Sequence, residues 1–414
     1  MEKNLTPKIR FRGFTEPWKE LPLKENVTYS SGKGYTKNDL KSDGNQIILY
    51  GRLYTQHELE IDTVDTFADI IENAKVSEGG EVIMPSSGET AEDIAVASVV
   101  NNPGIILGGG LHVLTPKQES ITSSFLANTI CYGDLHKQIA KLAQGKSVVH
   151  IYQQNILEQN VIAPSVDEQK TINNYFRHVE QSISAMCDEL EKLENLKKAC
   201  MERMFPREGE TTPKIRFKGF TDDWKEVLFG DIVSIKRGLT YSPNDLSDSN
   251  NGILVLRSSN IDEDVFVLND DDVYVSESAI NIEFAKDNDI LITSANGSTR
   301  LVGKHALVSI GEKKCVHGGF MLLATADMPF FTNALMGTNW YRGFINKFVA
   351  GGNGAIGNLN KNDLDTYPVL IPSLAEQEKI GNYFHHLDEL IAAKRQEIEK
   401  LKDIKQSLLD KMFV

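Results

Sequence analysis

Several short patterns in this chain have residue types and spacings that could do chemistry. Gly352-Asn-Gly354-Ala-Ile-Gly357 has the spacing of a glycine-rich dinucleotide loop. Such a loop needs a strand before it and a helix after it. Here the helix-like FINKF precedes it, LNKNDLDTYP follows, and the matching stretch QGKSVV of the first half lacks the glycines. Gly145-Lys146-Ser147 has the end of a phosphate-binding loop, but the glycine required five residues before Gly145 is Ala140. Glu168-Gln169-Lys170 has the carboxylate and lysine of a nuclease, although a helix cap explains Glu168 better. There is no D-P-P-Y or N-P-P-F methyltransferase motif and no H-E-x-x-H, and His112 and His317 stand alone and read as structural. Cys131, Cys187, Cys200 and Cys315 form no C-x-x-C pair, which argues against structural zinc or a disulfide frame and suits the reducing cytoplasm. The residues supply no catalytic constellation and no metal site.

Charge narrows the partners. The net charge is −14, but residues 58–93 hold 11 acids against Lys75 and residues 262–289 hold 10 against Lys286. Those stretches are net −10 and −9, which leaves +5 for the rest. They could bind a divalent cation, but neither has a compact ligand loop; they read as exposed faces turned away from nucleic acid or toward a basic partner. This leaves room for local basic faces but argues against strong, non-specific, charge-driven binding of nucleic acid by this chain alone. With 41% hydrophobic and 25% charged residues, no long apolar run, and a start (MEKNLTPK) without an apolar leader, the composition is that of a soluble protein. The length of 414 residues suits two or three domains.

The elements that would position any site come in duplicate. PKIRFRGFTEPWKE at 7–20 and PKIRFKGFTDDWKE at 213–226 share 11 of 14 positions. Pro164–Phe205 aligns without gaps on Pro372–Phe413 with 18 identities in 42. Between them the middles diverge but keep a skeleton: GEVIMPSSG (80–88) lies opposite NDILITSANG (288–297), and GGLHVL (109–114) opposite GGFMLL (318–323). Two related units with different middles suggest two related sites of different specificity.

Each tail opens with Pro-Ser, then a glutamate three residues after Ser165 or Ser373, the signature of a capping box. Apolar residues then alternate by four and three: Ile172, Phe176, Val179, Ile183, Met186, Leu190, Leu193, and Ile380, Phe384, Leu387, Ile391, Ile398, Leu401, with Lys394 breaking the second stripe. Beyond these the register shifts to Leu196, Cys200 and Met204, and to Ile404, Leu408 and Met412. A helix of about 39 residues is about 58 Å long, and so long a stripe needs a partner, most naturally the other tail. A twofold relation between the halves predicts antiparallel helices with globular units at opposite ends, and chain termini close in space. The middles predict strands at Gln46–Tyr50, Gly252–Arg257, Ile290–Thr293 and Phe320–Ala324, and helices at Ser124–Gln144 and Phe330–Phe348. Trp18 and Trp224 read as core anchors. The fold class is α+β: two pseudo-symmetric α/β domains joined by two long antiparallel coiled-coil helices. The expected divisions are 1–163, 164–205, 206–371 and 372–414.

The repeated openings with Trp18 and Trp224, the P-S-x-x-E-Q tails, and the two divergent middles resemble the specificity subunits of type I restriction-modification systems. The resemblance covers essentially the whole chain. It implies a non-catalytic subunit with two target-recognition domains, each reading half of a bipartite site in double-stranded DNA. It also implies a helical spacer, two modification subunits, and motor-nuclease restriction subunits. S-adenosylmethionine, ATP and Mg belong to those partners, with no cofactor in this chain. Side chains able to read base edges or hold phosphate are Lys33, Tyr35, Lys37, Arg52, Tyr54, Ser86, Ser87 and Lys146 in the first half. The second half offers Lys236, Arg237, Tyr241, Arg257, Asn260, Ser294, Asn296, Arg300 and Lys304. The recurrence of Lys33-Gly34 and Arg237-Gly238 suggests a shared phosphate contact. Glu168, Gln169, Glu376 and Gln377 are expected docking positions on the helices. The competing reading is a duplicated protein-binding adaptor without DNA specificity.

Overall fold

The architecture comes from a computed structural model, which describes residues 5–413 except Glu92, Lys146 and 350–356. The chain divides into two compact units, residues 1–187 with 397–414, and residues 188–396. The borders fall inside the long helices, because each helix begins in one unit and ends in the core of the other.

The first unit holds a five-stranded sheet in the order Val27–Ser31, Leu111–Pro116, Glu81–Pro85, Ser98–Val100, Glu60–Ile61, antiparallel except for its last pair. A smaller sheet orders Phe67–Ala68, Asn45–Ile48 and Ile106–Leu107. In the second unit Val233–Arg237, Met321–Ala326, Ile290–Thr293 and His305–Leu307 form an antiparallel sheet. Beside it run Leu246–Ser247, Val273–Val275, Ile253–Leu256 and Cys315–His317, the last pair parallel. The central strands are unbroken apolar runs because both faces are covered. Val82 and Met84 enter one core and Ile83 the other; Ile290 and Ile292 enter one and Leu291 the other.

The four strands predicted from sequence are present, shifted at most by two residues: Asn45–Ile48, Ile253–Leu256, Ile290–Thr293 and Met321–Ala326. The two predicted short helices are each divided. Ser123–Cys131 and Gly133–Leu142 are separated by extended Tyr132 and by Gly133 at φ +78°, a conformation that favours glycine. Pro329–Met336 and Asn339–Phe348 are separated at Gly337, where the Trp340 indole N–H donates to the Leu335 carbonyl at 2.8 Å and turns the chain.

Each opening repeat is stitched to the strand that precedes a long helix. Lys19–Pro22 pairs with Asn160–Ala163, and Lys225–Leu228 with Pro368–Ile371. Trp18 and Trp224 are buried beside these strands, as expected. The repeats then meet helix ends in the same way. The Ile9 amide donates to the Lys411 carbonyl at 3.2 Å in the first unit, and the Ile215 amide to the Arg203 carbonyl at 2.8 Å in the second. The beginning and end of the described chain are thus in contact.

The long helices span Val166–Arg203 and Leu374–Met412. Within each unit their segments run antiparallel. In the first, Phe176 lies against Phe413 and Glu180 pairs with Lys405; in the second, Asp388 pairs with Lys197 and Phe384 lies against Phe205. Ile172, Phe176, Ile183, Ile380, Phe384, Leu387, Ile391 and Ile398 are buried, so the four–three rhythm marks the packed stripe. Lys394 joins the helices by an ion pair, 3.1 Å from Glu189. Of the shifted register, Met204 and Met412 are buried and Cys200 and Leu408 pack against the cores, whereas Leu196 and Ile404 are corrected: both are exposed, at 46% and 44%.

Three buried histidines, His112, His305 and His317, are held neutral mainly by desolvation, which pushes each below its ordinary value of 6.5. Their depressed folded-state values stabilise the fold above that point, and the stabilisation is lost as pH falls below it. The urea midpoint is expected to drop steadily from pH 7.5 to pH 5. A midpoint flat over that range would show that these rings accept protons in place.

Candidate nucleic-acid interface

In both units the loop leaving the first sheet strand is pressed onto backbone. A Cβ on Gly32 would lie 1.9 Å from the Gly108 carbonyl oxygen, and one on Gly238 would lie 1.9 Å from that of Gly318. Only glycine fits either place. The next amides repeat the pattern: Lys33 donates to Leu107 at 3.1 Å, and Leu239 to His317 at 2.7 Å. The expected match of Lys33-Gly34 with Arg237-Gly238 is therefore corrected. Gly238 corresponds to Gly32, and Lys33 to Leu239, so this pair supplies no common phosphate contact. What does recur is Tyr35-Thr36-Lys37-Asn38-Asp39 and Tyr241-Ser242-Pro243-Asn244-Asp245. Asp39 accepts from the Thr36 backbone and hydroxyl at 2.6 and 2.9 Å, and Asp245 from those of Ser242 at 2.7 and 2.8 Å. These bonds, the backbone one first, hold both carboxyls below the usual range and fix a short turn. Lys37 stands exposed on the first of these turns.

In the first unit the candidates converge at one end of the sheet. The Tyr54 hydroxyl donates to the Ser87 carbonyl at 2.5 Å, and burial pushes its phenol upward. The Ser86 amide donates to Gly110, and the Gly109 amide to Gly34, both at 2.8 Å. Tyr35 sits in the left-handed region at φ 55°, its hydroxyl donating to the Asp69 carbonyl and accepting from the Ile71 amide. Arg52 is clamped by Glu58 at 2.9 Å and Asp65 at 3.0 Å. Lys33 and Lys37 are exposed without an ion pair among the described residues, and Lys146 lies outside those residues. Most of the glycine-rich loop near residue 352 lies outside them too; Gly357 pairs through its strand with Asn296.

In the second unit Asn296 donates to the Ser258 hydroxyl at 3.1 Å and receives the Ser298 amide at 2.9 Å. Arg257 donates to the Asp271 carbonyl at 3.3 Å, and its Nε is buried without a partner. Lys236 pairs with Glu283 at 2.5 Å. Arg237 and Arg300 are exposed and Lys304 is half-buried, none with an ion pair among the described residues. Tyr241 packs beside the small core around Val255. Two candidates are corrected. Asn260 is fully buried, accepting from the Arg257 amide and donating to Val267 and Asp272, so it builds the turn and reads nothing. Ser294 is also buried, with its amide and carbonyl both used in backbone bonds.

The acidic stretches are not turned away from these clusters. Glu58, Asp65 and Glu283 neutralise Arg52 and Lys236, and the Asp69 and Asp271 backbones receive Tyr35 and Arg257. The sequence reading missed this because it took the runs as solvated faces. It also missed Tyr50 and Phe320, exposed at 42% and 68% beside the same clusters. Cys131 and Cys315 are pushed up to about 12 by burial, so neither is a thiolate at neutral pH.

The expected docking positions are corrected as well. Glu168, Gln169, Glu376 and Gln377 are buried within the chain. Glu168 accepts Arg10 through two bonds of 2.7 Å, and Glu376 accepts Arg216 through bonds of 2.6 and 2.8 Å. Each arginine also holds a carbonyl of its own opening repeat, at Glu16 or Asp222. Gln169 donates to Pro164 and Ser120, and Gln377 to Pro372. Of the expected capping box, Ser165 still receives the Glu168 amide at 3.4 Å, but the carboxylate answers the arginine instead.

The two units thus define a duplicated α+β protein carrying two related, differently furnished recognition surfaces. The family described as Type I restriction modification DNA specificity domain matches residues 15–195 and again 221–403. The chain belongs to this family and is a type I restriction-modification specificity subunit with two recognition domains. It is 24% identical over 421 residues to the EcoKI specificity subunit of Escherichia coli, covering 96% of this chain and 89% of that one. Its fold is similar to the crystal structure of the S subunit from M. genitalium, with TM-score 0.64, 14% identity and 99% of both chains covered. A structure reported for complex assembly and conformational transition of the type I R-M system aligns with TM-score 0.55 and 17% identity, covering 97% of this chain and 99% of that one.

Proposed function

We propose that this chain is the DNA-reading scaffold of a type I complex and carries no catalysis of its own. Each unit reads one half of an asymmetric bipartite sequence in double-stranded DNA, and the paired helices set the distance between the halves. Two modification subunits dock on the chain and bind S-adenosylmethionine, while motor-nuclease restriction subunits bind ATP and Mg. The observation that carries this reading is the same backbone platform in both units, built on Gly32 and Gly238, furnished with different side chains. A common platform with different groups suits two half-sites of different sequence. The self-neutralised arginine and lysine suit a reader whose discrimination comes from base edges rather than from bulk charge.

The test is single-molecule methylome sequencing of a host with and without this gene, supplied with its neighbouring modification gene. One bipartite adenine-methylated motif appearing only with the gene is expected. Replacing residues 21–163 with another chain's middle should change one half of that motif alone. No change in methylation with an active modification subunit would favour the adaptor reading instead.

Freeing Arg52 by E58Q/D65N should raise affinity for unrelated duplex DNA several-fold at low salt. The slope of log affinity against log salt should steepen by about one unit, as for one added phosphate contact. An unchanged slope would show that Arg52 faces no phosphate.

A further inference from the structure

We propose that Phe320 is a specificity-determining residue that reads the 5-methyl group of a thymine in the half-site of the second unit; this rests on the DNA-reading function above. Phe320 is the most exposed large apolar side chain described, at 68%. Its backbone is nonetheless fixed, for its carbonyl accepts the Ser294 amide at 2.9 Å and the Ala295 amide at 3.1 Å. Gly318 and Gly319 before it pack on Val255, Leu239 and Thr240. A ring held out on a rigid turn leaves its apolar surface in water, and a partner that covered it would recover that free energy.

The polar groups around it belong to the candidate interface. Gly318 also lies beside the Arg257 side chain, and Asn296 and Ser258 close the same cluster. The first unit puts a ring at the corresponding place by another route. Gly110 takes the position of Phe320, one residue off the match of GGLHVL with GGFMLL, because Leu111 pairs with Pro85 as Met321 does with Thr293; the Gly110 carbonyl receives the Ser86 amide as Phe320 receives Ser294. The Tyr50 ring covers it, with Cδ1 2.8 Å from where a Cβ on Gly110 would stand. Both units therefore present an exposed aromatic ring at one register of the platform, from different turns: Tyr50 after Asn45–Ile48 and Phe320 before Met321–Ala326. A core-packing requirement would have buried the rings, and a backbone requirement would have fixed their source.

The two rings differ in what they can read. A phenyl ring has no donor or acceptor, so within the major groove its one discriminating partner is the thymine methyl. Tyr50 adds a hydroxyl, which suits a polar base edge.

The test uses the chain assembled with its modification subunit and duplexes carrying the motif found by methylome sequencing. Each thymine of the second half-site is replaced in turn by deoxyuridine, which removes only the methyl. One position should weaken wild-type binding about four-fold, as for one buried methyl group. F320A should weaken the thymine duplex by at least as much and bind both duplexes equally. First-half substitutions should act alike on wild type and F320A. Equal sensitivity of both proteins at every position, or no sensitive thymine in the second half-site, overturns the assignment while leaving the reading of DNA intact. Absence of any sequence-dependent binding by the wild-type complex instead overturns the function itself.

Discussion

Glu376→Ala is expected to destabilise the second unit by about 3–5 kcal/mol, the range for breaking one side of a buried ion pair. The Glu376 side chain is 0% exposed and that of Arg216 14%, and the two are joined through both carboxylate oxygens. Removing the carboxylate strands a guanidinium that still holds the Asp222 carbonyl at 2.6 Å. The opening repeat then loses its tie to the start of the helix. Replacing both partners with apolar residues, R216M/E376L, should recover most of the loss, because neither charge is left uncompensated. Urea unfolding of the three variants reads this directly. A loss below about 1 kcal/mol for E376A would place the pair among exposed surface bridges. Glu168→Ala should do the same to the first unit through Arg10.

The second large effect concerns the last described residue. Phe413 lies 5.5 Å from Phe125, 6.2 Å from Phe176 and 6.5 Å from Tyr132, centroid to centroid, in the core of the first unit. Phe205 does the same in the second, 5.8 Å from Trp224 and Phe384 and 6.0 Å from Phe331. Phe413→Ala should cost the first unit about 3–5 kcal/mol, as for a fully buried ring, and Phe205→Ala the second. Hydrogen exchange would localise each loss: amides of Leu111–Pro116 should lose protection in F413A, and those of Met321–Ala326 in F205A. Uniform loss over both sheets in either variant would mean that the units do not unfold separately.

The elements visible in the sequence were those specified by local periodicity. Four–three spacing marked the helices, unbroken apolar runs marked the doubly covered strands, and direct repetition marked the duplication. What stayed hidden depends on contacts distant in sequence. Glu168 obeys the capping-box spacing, yet Arg10, 158 positions away, takes its carboxylate. Buried Gln169 and Gln377 look like surface polar residues until their backbone partners are known. Lys33-Gly34 mimics Arg237-Gly238 by a two-residue slip that only the close approach of Gly32 to Gly108 reveals. The helical segments around Tyr132 and Gly337 kept an apolar rhythm across a break made by backbone geometry. Phe320 reads as the first residue of a strand because an apolar residue opening an apolar run carries no signal of the side it faces; the two glycines before it were the available clue.

The paired amide bonds of Ile9 on Lys411 and Ile215 on Arg203 also bear on heredity. Because both junctions present the same contacts, a middle moved from one position to the other, or brought in from a related gene, arrives between edges that already match it. On the proposed reading of DNA, a lineage carrying this architecture could therefore acquire a new half-site in a single genetic exchange, without first passing through a chain that fails to fold.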